Sequence, residues 1–341
     1  MLRCAGLRMS TRLDACPVAH DYPRLTRTHP PDSIRSAETA MNKQLDRRAF
    51  CASLTLGATS LAAAPAPPKL KIGHTCITWG AFPKANARAV VEAALKDISS
   101  QGFWSYETFP DLLGELDDKQ QLRPLMDQYG VPLRSGYISV NVIDPARRKS
   151  ELERVITLSK IVRKFKGTFV VLSTNGANRD GYLFAKHREN IVASLNDFSA
   201  AVTDLGLGTG LHQHTGTPVE TRDEVYAVME TVNTNNMKFA PDVGQLQKGG
   251  ADAAKVVKDF APIVKHMHLK DYKGWEHYAG YCPLGMGQVD IVSVLNTVET
   301  AGQNPNIMIE LDPSPNAPMT PLETVKTTKA YLEKLGYTFK S

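Results

Sequence analysis

Four short hydrophobic segments of this chain end in histidine or acidic residues, the residue types that bind metal ions and transfer protons. The segments are Leu211-His212-Gln213-His214, Phe239-Ala240-Pro241-Asp242, His266-Met267-His268-Leu269-Lys270-Asp271 and Ile307-Met308-Ile309-Glu310-Leu311-Asp312. Imidazole nitrogens and carboxylate oxygens that converge from different strands suit a hard or borderline divalent cation. The donors at the four ends are His212 or His214, together with Asp242, His268 and Glu310. We therefore predict a metal site, although either His-x-His pair alone would equally fit packed or rim histidines.

The elements that must position these donors are strands alternating with helices. Hydrophobic runs predict eight strands, at residues 71–80, 104–109, 133–142, 168–173, 208–215, 237–242, 263–270 and 307–311. Helical patterns follow them, at residues 88–99, 121–129, 145–165, 187–205, 222–232, 253–260, 290–301 and 322–335. Eight such units predict a single-domain (β/α)8 TIM barrel over residues 69–341, with the donors at its carboxyl-terminal mouth. An open doubly wound sheet is the alternative, but Gly80-Ala81-Phe82-Pro83 is not its glycine-rich phosphate turn.

The charge distribution argues against a polyanionic partner. The chain has a net charge of +5, but residues 1–48 hold nine Lys/Arg and five Asp/Glu. The remaining 31 basic and 30 acidic residues leave a net charge of +1 for the rest. The predicted barrel therefore lacks the global bias expected of a nucleic-acid-binding protein.

Residues 1–68 are predicted to be a disordered leader that contains an export signal at residues 41–66. The segment Asp46-Arg47-Arg48-Ala49-Phe50 is a twin-arginine pattern, followed by a modest apolar stretch and by small residues suited to cleavage. That stretch is too short and too polar for a membrane span. We expect the twin-arginine machinery to export the protein to the periplasm or medium, with translation starting at Met41 and no stable membrane association. A disordered tail with a chance arginine pair is the alternative.

The order of these motifs resembles the xylose isomerase-like barrel superfamily, and most of all its inosose dehydratases and sugar isomerase/epimerases. The resemblance runs from about Lys69 to the C-terminus. It rests on the motifs His-x-His-x-Gly-Thr (212–217), Asp-x-Gly (242–244), His-x-His-x-Lys-Asp (266–271), Glu-x-Asp (310–312), Gly-x-Gly-x-x-Asp (285–290) and the segment 102–107. It implies a metal set of one residue each from strands five to eight: His212, Asp242, His268 and Glu310.

His212 departs from the family pattern, which has Glu at this position, and Gln245 stands where His is common. Epimerases of the family pass a proton across the sugar between two carboxylates. With imidazole in place of one of them, the resemblance implies chemistry that needs a single strong base, such as dehydration or one-base isomerisation. The implied reaction is proton abstraction next to a carbonyl, through an enediolate that the metal stabilises.

Further site residues follow from position. Glu310 is a ligand and candidate base, and His214, Glu107 and Lys270 are candidates for proton transfer or substrate contact. Lys270 could instead pair with Asp271, and Glu107 could brace a neighbouring strand. The candidates for binding a sugar are Trp79, His266, Trp275 and Tyr278, although the aromatic ones could simply cap the barrel.

We expect a metal-dependent isomerase or lyase that acts on a non-phosphorylated sugar, keto-sugar or inosose. The metal is Mn, Co, Mg or Zn, and the sequence leaves open whether the chain forms a homo-oligomer. The alternatives are an epimerase of the same family, a non-catalytic sugar-binding barrel and, remotely, an abasic-site endonuclease. Cys76 and Cys282, the two cysteines beyond the leader, could form a disulfide, but spacing does not decide this.

Overall fold

The computed structural model describes residues 70–83 and 86–341. The predicted export signal lies outside these residues. The described part contains ten strands: β1 Ile72–Thr75, β2 Tyr106–Thr108, β3 Leu133–Asn141, β4 Phe169–Asn175, β5 Gly208–His212, β6 Met237–Phe239, β7 His266–Leu269, β8 Asp271–Tyr272, β9 Tyr281–Cys282 and β10 Asn306–Ile309.

Eight of the strands form one parallel sheet that closes on itself. Their order is β6-β5-β4-β3-β2-β1-β10-β7, and every pairing is parallel. Single bridges between Phe239 and Val264 and between Asp242 and His268 join β6 back to β7. The predicted (β/α)8 barrel is confirmed, and the second sheet is only the hairpin of β8 and β9.

Helices surround the barrel and pack apolar faces on it. They are α1 Ala87–Ser100, α2 Pro110–Asp118, α3 Leu122–Tyr129, α4 Arg148–Lys164, α5 Phe184–Asp204, α6 Arg222–Met229, α7 Val243–Lys248, α8 Ala253–Asp259, α9 Ile291–Thr300 and α10 Pro321–Lys334. On α4, Val155, Leu158 and Val162 recur at helical spacing and are buried. No helix in the described part of the chain is both long and apolar enough to cross a membrane.

Two helices and a hairpin were not predicted. Helix α2 follows β2 directly, and α7 begins immediately after the strand predicted over 237–242, whose regular part ends at Phe239. Asp242 caps α7, since its Oδ1 accepts a hydrogen bond from the Gln245 backbone N–H at 2.9 Å. The cap fixes one carboxylate oxygen, while the other, Oδ2, lies 3.1 Å from the ammonium of Lys270.

Candidate functional site

A cavity of about 290 Å³ opens at the carboxyl ends of the barrel strands. It is lined by Thr75, Ile77, Phe82, Glu107, Thr108, Phe109, Tyr137, His214, Glu310 and Asp312. The rings of Phe82, Phe109 and Tyr137 follow one another, with centroids 6.1 and 5.4 Å apart, and form an apolar wall. Apart from Ile77, the other lining residues carry carboxylate, imidazole or hydroxyl groups, so the cavity suits a ligand with one apolar side and one side that bears hydroxyl groups.

His212 at the end of β5 and Asp242 just after β6 come close together inside the barrel. His212 is completely buried, and neither of its ring nitrogens has a hydrogen-bond partner. Asp242 is also completely buried, and its Oδ2 lies 3.1 Å from the ammonium of Lys270. Ligand atoms of His212, Asp242 and His268 lie within 4.8 Å of one another. Since buried polar groups are otherwise almost always paired, the three donors fit a divalent cation.

His268 faces this donor group with one nitrogen and Glu107 with the other. Its Nε2 lies 2.6 Å from Oε1 of Glu107, and its Nδ1 lies 3.0 Å from Oε2 of Glu310. An Nε2–H that donates to a carboxylate leaves the Nδ1 lone pair for a cation, which is the usual arrangement around metal-binding histidines. Glu310 lines the cavity as well, so it connects the donor group to the ligand space.

Glu107 on β2 is a buried residue that braces its neighbours inside the barrel. Its Oε2 accepts a hydrogen bond from Ser135 Oγ at 2.5 Å and lies 3.0 Å from Nε2 of His266. His266 is buried, with its ring stacked on Phe169 at 5.0 Å. These contacts agree with the interpretation that Glu107 braces neighbouring strands, although Glu107 also lines the cavity.

Lys270 is buried among three carboxylates. Its ammonium lies 2.5 Å from Glu310 Oε1, 2.9 Å from Asp312 Oδ2 and 3.1 Å from Asp242 Oδ2. The alternative of a salt bridge to Asp271 is wrong, because neighbouring side chains on a strand point to opposite faces. The Asp271 carboxylate instead accepts hydrogen bonds from the backbone N–H groups of Gly285, Gly287 and Val289. A Cβ at Gly287 would lie 2.2 Å from Asp271 Oδ1, which explains one glycine of the Gly-x-Gly motif.

Burial and ion pairing set the charges of these groups. Burial lowers the pKa of His212 well below its ordinary value, so this imidazole is neutral and its lone pair is available. Burial also acts against the charge on His268, but Glu310 and Glu107 outweigh it and raise the His268 pKa well above the usual range, so a cation bound at Nδ1 would have to displace a proton. For Glu310, burial is outweighed by His268 and Lys270, and its pKa is well below the ordinary value. Glu310 is therefore ionised at neutral pH.

His214 belongs to a separate hydrogen-bond chain. Its Nδ1 lies 2.7 Å from the Thr215 carbonyl oxygen, which can only accept, so Nδ1 carries the proton. Its Nε2 accepts from the Gln245 amide at 2.7 Å, while Gln245 Oε1 accepts from the backbone and hydroxyl of Thr215. This chain of hydrogen bonds occupies both ring nitrogens of His214 at the cavity wall.

The predicted sugar-binding residues are not brought to the cavity. The indole N–H of Trp79 donates to Asp97 on α1, and Tyr278 is buried with its hydroxyl bound to the Met319 carbonyl. Trp275 packs against Tyr278, and His266 is stacked on Phe169 and does not line the cavity. Sequence reasoning missed Phe82, Phe109 and Tyr137, because only the barrel register shows that they share one wall. The thiols of Cys76 and Cys282 are buried and free, so they form no disulfide.

The family model named Xylose isomerase-like TIM barrel matches residues 95–335, more than half of the chain. The chain belongs to this family. An inosose dehydratase of Geobacillus kaustophilus (strain HTA426) is 22% identical over 296 residues, which cover 78% of this chain and 94% of that protein.

Two solved structures share the fold. The IolI protein with a bound zinc atom is 15% identical with a TM-score of 0.63, covering 78% of this chain and 98% of that one. The 3-keto-D-glucoside 4-epimerase YcjR from E. coli is 14% identical with a TM-score of 0.59, covering 79% and 99%.

Proposed function

We propose that this chain is a divalent-metal-dependent isomerase or lyase that removes a proton next to the carbonyl of a non-phosphorylated sugar. The observation that carries the proposal is a buried donor group next to a cavity lined by Glu310: His212, with no hydrogen-bond partner at either ring nitrogen, lies beside Asp242 and His268. The family membership and the inosose dehydratase relative support a sugar-modifying enzyme.

The residues that would hold the cation are His212, Asp242, His268 and Glu310. Zn²⁺, Mn²⁺, Co²⁺ and Mg²⁺ all accept such a mixed set of imidazole and carboxylate donors. A bound divalent cation supplies polarisation of a carbonyl and stabilises the enediolate charge by several kcal/mol. The chain's own residues supply orientation and proton transfer.

Glu310 is the proposed base. It is ionised, it reaches the cavity, and Lys270 fixes its Oε1 at 2.5 Å. Asp312 also lines the cavity and comes two residues later on the same strand end. His214 would contact a substrate hydroxyl or return a proton through Nε2 only once the Gln245 amide releases that nitrogen, whereas Glu107 holds His268 in place.

The distribution of carboxylates favours isomerisation or dehydration over two-base epimerisation. Glu310 and Asp312 approach from one strand end, while β5 supplies His212 where the family pattern has Glu. The third carboxylate of the lining, Glu107 on β2, is already paired with Ser135, His266 and His268, so the carboxylates available as bases come from one strand end. Epimerisation remains the alternative, and its test is whether the product is inverted at the carbon that exchanges its proton.

The cavity lining favours a neutral substrate. Among the described residues that line it, none is Arg or Lys, and Glu310 and Asp312 are acidic. A phosphate group would find no free cation there, since the Lys270 ammonium is already paired with three carboxylates. The same lining argues against the abasic-site endonuclease alternative, because phosphate backbones are bound by basic grooves.

The test combines elemental analysis of purified protein with solvent deuterium uptake into a panel of keto-sugars and inososes. The proposal expects about one divalent ion per chain and deuterium at the carbon next to the carbonyl. Glu310→Gln should keep most of the fold and lose deuterium uptake. Metal-free protein that exchanges deuterium at full rate would contradict the proposal, and full ligand binding without exchange would favour the non-catalytic sugar-binding barrel.

Export through the twin-arginine route is a separate proposal, supported by Arg47-Arg48 and the apolar stretch after them. Periplasmic fractionation with N-terminal sequencing of the mature protein tests it. An Arg47→Lys/Arg48→Lys variant should remain inside the cell, whereas export of that variant would contradict the twin-arginine assignment.

A further inference from the structure

Lys270 occupies a position that several elements build around it. Its side chain is completely buried, and its ammonium lies 4.6 Å from the centre of the Tyr281 ring. A Cβ at Gly244 would lie 2.8 Å from Lys270 Cγ, so the glycine at the start of α7 makes room for the lysine chain. The fold therefore provides a specific buried place for the positively charged Lys270 side chain.

The Lys270 ammonium is ion-paired with carboxylate oxygens that a divalent cation would also bind. Two of its three partners, Asp242 and Glu310, are the carboxylates of the proposed metal set. The third partner, Asp312, is not in that set and lies 2.9 Å from the same ammonium. Two cations that share buried carboxylates repel each other strongly, because the interior screens charge much less than water does.

We infer that Lys270 is an internal competitor of the divalent cation. In the metal-free protein its ammonium neutralises Asp242 and Glu310. When the metal binds, those oxygens turn to the metal and Lys270 stays paired with Asp312. This inference rests on the proposed metal dependence and adds a property to it: the chain lowers its own metal affinity in exchange for a stable metal-free fold.

Two consequences separate this role from that of a supporting contact. A competitor weakens metal binding, so its removal should tighten binding. A lysine that merely orients Asp242 and Glu310 would strengthen binding, and removal of such outer partners costs about 10–100-fold in metal affinity. The sign of the change therefore decides between the two roles.

The experiment compares Lys270→Met with wild type and with Lys248→Met. Lys248 is a matched control, because its exposed ammonium lies 5.0 Å from the centre of the same Tyr281 ring and donates to the Ala279 carbonyl. Dissociation constants for Zn²⁺ and Mn²⁺ are measured by chelator competition, and unfolding temperatures with and without each metal.

Lys270→Met should bind metal about tenfold tighter or more, because a full charge is removed from beside a divalent ion. Its metal-free unfolding temperature should fall, and the rise on adding metal should exceed that of wild type. Lys248→Met should match wild type in both respects. If Lys270→Met does not fold without metal, Lys270→Gln, which keeps a polar end group, should show the same tightening.

Unchanged or weaker metal binding in a folded Lys270 variant would overturn the competitor role while leaving the proposed function standing. Failure of wild type and both variants to bind either metal would instead overturn the metal-dependent function, and the competition with it.

Discussion

The ends of β5 and β7 carry the same His-x-His pattern, but the structure uses the two pairs differently. On β7, His266 and His268 both turn an Nε2 toward one carboxylate, Glu107. On β5, His212 has no hydrogen-bond partner at either nitrogen, while His214 is bound at both. The spacing is identical, so the partners supplied by other strands decide what each imidazole can do.

This difference indicates where a cation can bind. Glu107 contacts the Nε2 atoms of both histidines on β7, so His268 has only Nδ1 to offer to the donor group that it forms with His212 and Asp242. His212 is neutral and unpartnered beside it, with the two rings 4.6 Å apart. His212 at the end of β5 can therefore bind a cation without losing a hydrogen bond, and His268 on β7 is held in place by Glu107.

The largest effect is expected from removing the carboxylate of Asp242, which lies beside His212. Asp242→Asn keeps an oxygen to cap α7 but loses the ionised Oδ2. Metal affinity should fall by more than the roughly 10–100-fold that an outer partner costs, and turnover should be lost. Metal content and deuterium uptake measure this.

Asp252→Asn is the control, because Asp252 caps α8 in the same way, accepting the Lys255 N–H at 3.0 Å. It should keep both metal and activity. Equal metal loss in the two variants would show that Asp242 acts only as a helix cap.

The second-largest effect is expected from removing Glu107, the carboxylate that contacts both histidines of β7. Glu107→Ala removes the carboxylate shared by His266, His268 and Ser135 and should destabilise the fold by about 3–5 kcal/mol, as loss of one partner of a buried ion pair does. Urea unfolding of metal-free protein measures it. Glu115→Ala, which breaks an exposed pair with Lys119 on α2, should cost about 1 kcal/mol or less. Similar losses in both variants would contradict the bracing role.

His74 on β1 sharpens the comparison, because it is a buried histidine beyond hydrogen-bond reach of any carboxylate. Burial lowers its pKa to about 4, against smaller opposing effects of the Thr75 carbonyl and Glu310. Between pH 6.5 and 4 the unfolded chain binds a proton here that the folded chain does not, so stability falls as pH falls through this window. The loss amounts to about 3 kcal/mol.

His74→Gln should therefore flatten the pH dependence of the unfolding free energy between pH 6.5 and 4. His187→Gln, at a partly exposed histidine stacked on Tyr182, should leave it as in wild type. A wild-type slope in His74→Gln would show that other groups carry the acid sensitivity.

The smallest effect concerns the second histidine of the β5 pair. Gln245→Leu removes the hydrogen bonds to His214 and Thr215 and should cost about 1–2 kcal/mol. Gln247→Leu, on the same helix, is the control and should cost less. Nitrogen NMR shifts should show that His214 loses its single Nδ1–H form in Gln245→Leu alone; an unchanged form there would mean that Thr215 suffices.

The sequence predicted the barrel because hydrophobic runs and helical patterns alternate with regular spacing. It placed His212, Asp242, His268 and Glu310 at strand ends, and the structure brings these four together. It could not predict α7, since six residues after a proline and an aspartate give too short a periodic signal.

The directions of side chains were harder to predict than their positions. Lys270 stands next to Asp271 in sequence, yet the two lie on opposite faces and have no common partner. Trp79 turns to Asp97 on α1, whereas Phe82, only three residues later, reaches the cavity. Such choices depend on loop paths and on neighbouring strands, which no local pattern in one sequence records.

The most direct test of the account is X-ray absorption spectroscopy of the zinc-loaded protein, compared with its His212→Gln variant. The account predicts two imidazole nitrogens around the metal in wild type, from His212 and His268, and one in the variant. The same number of imidazole ligands in both proteins would contradict it, because the end of β5 would then not be where the metal binds.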